Sequence, residues 1–205
     1  MSFKYSSVIR FLVIIILFGI IPLSISAETV ELPRIPETIE DFIELRNEIS
    51  LTPSGGAAVF VLALYIYSID EELGLQALTV TLVNDDLHLH KVNGVYKGYS
   101  PTNPMRYLLD RILPKPYMIR SYFSGANPEN NYDIGDLPFV IETSTNKYSE
   151  ISETEIRLFV ACSGAGSPRP VRVERNSSGL WKVDEFSSLV VDVMRPAEDK
   201  KVDDL

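Results

Sequence analysis

His88 and His90 are the two histidines of the chain, and on a strand that spacing turns both rings to one face. Two imidazoles so placed are weak candidates for a metal pair, with Asp85 or Asp86 as further ligands. A catalytic metal centre takes three protein ligands with outer support, and the sequence names no such complete set. A serine hydrolase would have to draw on one of the same histidines, yet no Gly-x-Ser-x-Gly elbow surrounds any serine. With 28 Asp and Glu, no carboxylate pair stands out for glycoside hydrolysis. Ser54-Gly55-Gly56 opens a helix, but no lysine follows as in a phosphate loop, so close packing of the two glycines is expected. Cys162 is the only cysteine and lies in the apolar run Leu158 to Cys162. It reads as a small buried hydrophobe without a neighbouring base.

Binding chemistry is better signed than catalysis. In Ser167-Pro168-Arg169-Pro170 two prolines fix the backbone around Arg169 and present its guanidinium at low entropic cost. That planar fork suits a carboxylate or phosphate, unless an acid of the same domain takes it. Arg172 follows on the same strand. Tyr117, Tyr122 and Tyr132, with Tyr107 and Phe123 nearby, fall in or beside a long central loop. Exposed together they would form a stacking surface for sugar or peptide; buried, they would pin the loop to the core. Arg169, Arg172, Tyr117, Tyr122 and Tyr132 are therefore the expected ligand-binding residues, with no catalytic residue and no cofactor.

The elements that must position these groups follow from periodicity. Ile39, Phe42, Ile43 and Ile49 recur at helical spacing, ending near Ser50. Thr52 and Pro53 form an N-cap and first turn for a helix that is apolar from Ala57 to Tyr67, the expected core helix. Asp70 caps a short helix to Ala77 or Leu78, after which Thr79 to Val83 favours strand by β-branching. Asn93-Gly94 signals a turn after the segment Leu87 to Val92. A helix opens at Asn103-Pro104 and stops at Pro114, and residues 114–136 read as loop. Strands are expected at Leu137–Glu142, Ile156–Cys162, Val171–Arg175 and Leu180–Val183, with Ser188–Val193 a fifth.

Helices followed by antiparallel strands make an α+β domain, N-terminal helices packed on a C-terminal meander sheet. A cone-like arrangement of the nuclear-transport-factor-2 type is the alternative. The expected organisation is a leader over 1–27, an extended segment and first helix over 28–50, one globular domain over 51–196 and a charged flexible tail over 197–205.

Lys4 and Arg10 precede an apolar run from Phe11 to Leu23, followed by Ser24, Ser26 and Ala27, the layout of a secretory signal peptide. The run is shorter than the roughly 20 residues of a membrane-spanning helix. Export and removal of the leader are expected, leaving no stable membrane span. Residues 28–205 carry 17 Lys and Arg against 28 Asp and Glu, a net charge of −11 that disfavours nucleic acid and anionic lipid. One cysteine permits no intrachain disulfide, so the core alone must hold the domain.

Several motifs occur in one order: Tyr96-Lys97-Gly98-Tyr99, Lys115-Pro116-Tyr117, Gly125-Ala126-Asn127-Pro128-Glu129-Asn130, Ser167-Pro168-Arg169-Pro170, Gly179-Leu180-Trp181-Lys182 and Ser187-Ser188-Leu189. Together they resemble a family of uncharacterised bacterial domains, often exported, over roughly residues 50–195. The resemblance implies a bacterial source and one compact domain, and carries no activity. The function expected is a non-catalytic extracytoplasmic binding or interaction domain whose partner is an envelope protein, peptide or glycan. The alternative is an envelope hydrolase using His88 or His90, with or without a metal.

Overall fold

The computed structural model describes residues 26–199. The leader expected over 1–27 lies, as far as residue 25, outside the described residues, and so do residues 200–205 of the expected tail. The chain runs β1 (Ala27–Leu32), α1 (Ile39–Ile49), α2 (Pro53–Ile69), α3 (Glu71–Thr81), β2 (Leu89–Tyr96), β3 (Tyr99–Pro101), α4 (Asn103–Leu109) and α5 (Tyr117–Arg120). Then come β4 (Phe139–Ser144), β5 (Glu150–Ser152), β6 (Glu155–Val160), β7 (Arg169–Arg175) and β8 (Trp181–Glu185).

The helices form where local chemistry starts them. Thr38, Thr52 and Asp70 accept the backbone N–H groups of Asp41, Gly55 and Leu73, capping α1, α2 and α3 in turn. Apart from its first residues, α2 has almost no wet face: Ser54 to Leu64 are all buried. It lies against β1, β6, β7 and β8, with α3 packed alongside. α3 continues to Thr81 rather than turning to strand. Thr79 and Thr81 donate their hydroxyls to the carbonyls of Leu75 (2.7 Å) and Ala77 (3.0 Å), so both buried hydroxyls are satisfied within the helix.

The six-stranded sheet has the order β1-β4-β6-β7-β8, antiparallel throughout, with β5 paired to β6. It is an open sheet, and the helices precede its meander as the α+β reading expects. Ile141, Leu158, Val160, Val171, Val173 and Val183 point under the helices. Arg157, Arg172 and Glu174 alternate onto the other face. The expected extended segment at the start is the edge strand β1. It is fastened by a relay running out from the core, in which Thr143 donates to Ser54 Oγ (2.8 Å) and Ser54 to Glu28 Oε2 (2.5 Å).

Three further segments differ from expectation. Asn93-Gly94 lies inside β2 at an irregularity, and the turn to β3 falls at Lys97-Gly98, both at positive φ (48° and 78°). That pair matches the twist a two-residue hairpin loop requires. Residues 187–190 are a 3-10 turn instead of a fifth strand, because Leu189 and Val190 are drawn fully into the core. Residues 197–199 form another such turn, joined to Asn131: its side-chain amide donates to Glu198 Oε2 at 3.1 Å, and Glu198 N–H donates to Asn131 Oδ1 at 3.2 Å.

Candidate functional site

A fork in the sheet creates a cleft. β6 pairs with β4 only at Thr143 and Ser144, after which the two strands part. The segment after α5 takes up the place beside β4. Phe123 bridges Ile141, and Ser124 N–H donates to the Val140 carbonyl at 2.9 Å. On the other branch Ala161 N–H donates to the Glu142 carbonyl at 2.9 Å. Between the branches lies a cavity of about 370 Å3 lined by Ser121, Ser124, Glu142, Cys162, Ser163 and Ser167 among others.

Its walls are held from both sides. Phe123 packs edge-on against Tyr65 and Phe139, each with centroids 5.3 Å from its own. Ser163 donates its N–H and hydroxyl to the Ser121 carbonyl at 3.0 and 3.1 Å. Met194 N–H donates to the Gly164 carbonyl at 2.8 Å. Glu142 accepts the Ser124 hydroxyl at 2.9 Å. Cys162 Sγ stands 3.2 Å from Ser121 Oγ. Ser121 already donates to the Met118 carbonyl at 2.6 Å, so the thiol hydrogen is the one left to fill that contact. The cleft therefore offers hydroxyls, a carboxylate and backbone amides, and its sulfur is engaged as a donor rather than set up as a nucleophile.

The residues expected to bind ligand fall apart in space. Arg169 shares the helix-side face of Val171 and Val173 and pairs in register with Val160, whereas Arg172 points to the opposite face. They form no common surface. Arg172 lies between acids of its own domain, reaching Asp184 and standing 3.3 Å from Glu155 Oε1. Arg169 takes no carboxylate among the described residues: one terminal nitrogen donates to the Asp192 backbone carbonyl at 3.2 Å, and its buried Nε has no partner. The Asp192 carboxylate goes to Lys115 instead, at 2.6 and 2.7 Å.

The expected stacking surface is corrected in the same way. Tyr122 and Tyr132 are buried and donate their hydroxyls to the carbonyls of Leu189 (2.8 Å) and Met194 (2.6 Å). Burial pushes both phenols up, Tyr132 to about 12 and Tyr122 further. Tyr117 stays half-buried and stacks on Tyr132 with centroids 5.8 Å apart. These rings pin the long segment to the core.

His88 and His90 do not act as a pair. His88 sits in the turn before β2, buried, whereas His90 lies on the strand opposite Ser100. His88 places Nδ1 2.7 Å from Asp85 Oδ1 and Nε2 2.5 Å from the Asp184 carbonyl. Asp85, His88 and Asp184 are close enough to share a cation. Both ring nitrogens nevertheless face acceptors, and Arg172 already occupies the Asp184 carboxylate. The cluster clasps the turn to β8 and leaves no imidazole lone pair facing a nucleophile. Burial raises the Asp85 carboxyl, but hydrogen bonds from the His88 ring and from the His88 and Leu87 N–H groups outweigh it and hold the carboxyl below its ordinary value.

Glu142 and Ser124 line the fork cleft, and sequence reasoning did not single them out. Ser124 is brought beside β4 by the segment after α5, and no local signal marked either residue.

Fold and cleft together define a small α+β domain with a polar groove at a sheet fork. The family model described as Domain of unknown function (DUF6935) matches residues 34–197, and the chain belongs to that family. No curated protein and no solved structure matches it. No helix among the described residues is long and apolar enough to cross a membrane.

Proposed function

We propose that this protein is an extracytoplasmic binding domain that takes a hydroxyl- or amide-rich envelope ligand, a peptide or glycan, into the cleft between β4 and the loop 161–168. The carrying observation is the cleft's chemistry: the Glu142 carboxylate, the hydroxyls of Ser121, Ser124, Ser163 and Ser167 and the backbone of Gly166 surround about 370 Å3. Such convergent hydrogen-bonding groups in a preformed concavity suit orientation of a polar ligand. The leader pattern of residues 1–27 supports export. Arg169 follows directly on Pro168 at the cleft's rim, and a guanidinium without an internal acid partner among the described residues is available to an acidic group of the ligand.

The test is a binding screen of the purified protein against envelope glycan fragments and peptides, followed by the same measurement on Glu142→Gln. The expected result is saturable binding weakened about tenfold or more by the substitution, the loss that follows removal of a charged hydrogen-bond acceptor. Absence of binding across the screen, or affinity unchanged in Glu142→Gln, overturns the assignment.

A further inference from the structure

A second cleft, beside the β7–β8 hairpin, contains a lysine amine. Val83, Asn84, Glu174, Asn176, Ser177 and Lys182 line a cavity of about 370 Å3. Lys182 Nζ donates to the carbonyl of Leu82, just past α3, at 3.1 Å. Among the described residues it makes no ion pair, although Glu174 is its partner across the two strands. Arg46 of α1 reaches the same helix end and donates to the Val80 carbonyl at 2.9 Å. The groups facing the amine are thus one cation from α1, one carboxylate from β7 and, from segments 83–84 and 176–177, uncharged side chains.

We propose that Lys182 is a nucleophilic amine that condenses reversibly with small aldehydes or ketones entering this cavity. The Leu82 carbonyl takes one N–H and fixes the nitrogen, leaving the lone pair of the neutral amine for the cavity. That pair forms the N–C bond while the carbonyl π pair moves to oxygen, which takes up a proton. The carbinolamine then loses water, the nitrogen giving up a proton, and an imine remains. Glu174 supplies the cavity's carboxylate for these proton exchanges. Burial, and after it repulsion from Arg46, lowers the ammonium to about 8, so a substantial neutral fraction exists near neutral pH. A desolvated lysine beside a second cation is a recognised way to activate an amine. The imine site is independent of the fork cleft, so either assignment can fail alone.

The experiment treats the purified protein with glycolaldehyde and cyanoborohydride between pH 6 and 10 and follows labelling of each lysine by peptide mapping. The exposed Lys147 serves as internal reference. At pH 8 roughly half of an amine titrating near 8 is neutral, against less than about 1 % of an ordinary lysine. Lys182 is expected to react about tenfold or more faster than Lys147, to level off above pH 8, and to lose the advantage in concentrated urea. Labelling of Lys182 at or below the rate of Lys147 in the folded protein, or a Lys182 rate still climbing through pH 10, overturns the proposal. No variant is needed, so a folding defect cannot obscure the answer.

Discussion

The Tyr132 hydroxyl donates to the Met194 carbonyl at 2.6 Å, while the Met194 N–H donates to the Gly164 carbonyl at 2.8 Å. One backbone unit near the end of the domain therefore holds both the central loop and the loop that walls the fork cleft. Tyr132→Phe removes the first bond and leaves a carbonyl without its partner, at a cost of about 1–2 kcal/mol. A fall of a few degrees in thermal midpoint is expected. Faster amide exchange at Met194 should accompany it, because the strap to Gly164 loses its second anchor. Unaltered exchange at Met194 would show that the strap stands without the tyrosine.

α2 meets β8 where Gly56 faces Trp181. A Cβ at position 56 would lie 2.7 Å from both the Cβ and the backbone oxygen of Trp181, and the carbonyl cannot move without dragging the strand. Gly56→Ala is therefore expected to destabilise the domain by about 2 kcal/mol or more, even though alanine is the better helix former. Chemical denaturation of the variant measures this directly. A gain in stability would mean that α2 and β8 can separate cheaply.

Periodicity sufficed for α1, and capping for α2 and the start of α3, because Thr52 and Asp70 bond within their own first turns. The β7–β8 hairpin was equally readable: Asn176 Oδ1 accepts the N–H groups of Ser178 and Leu180, and Gly179 takes φ +82°. What the sequence concealed depends on distant partners. β1 is a strand only because β4 pairs with it more than a hundred residues later. The threonines at the end of α3 are buried against the core as part of the helix, their hydroxyls satisfied by its own carbonyls, a placement that β-propensity alone misjudges. The arginines looked like one surface because they are close in sequence, yet strand alternation sends Arg169 and Arg172 to opposite faces. The fork cleft arises where two strands part, and nothing local to Glu142 or Cys162 announces it.

Lys182 also gives the domain a characteristic pH dependence. Its ammonium titrates near 8 in the folded protein, against an ordinary 10.5, because burial and Arg46 disfavour the charged form. Between these values the unfolded chain binds the proton that the native state has released. Stability attributable to this group therefore rises with pH from about 8 toward 10, by an amount on the order of 2 kcal/mol. The buried phenols act with the opposite sign. Tyr132 is held up to about 12 and Tyr67 and Tyr122 higher still, so above pH 10 the unfolded tyrosines ionise first and the native state loses ground. Denaturation midpoints measured from pH 7 to 11 should climb and then turn over near 10, and Lys182→Met should abolish the climb while leaving the descent. A wild-type profile that falls steadily from pH 8 would mean that Lys182 is charged in the fold, and would remove the basis for its reactivity as well.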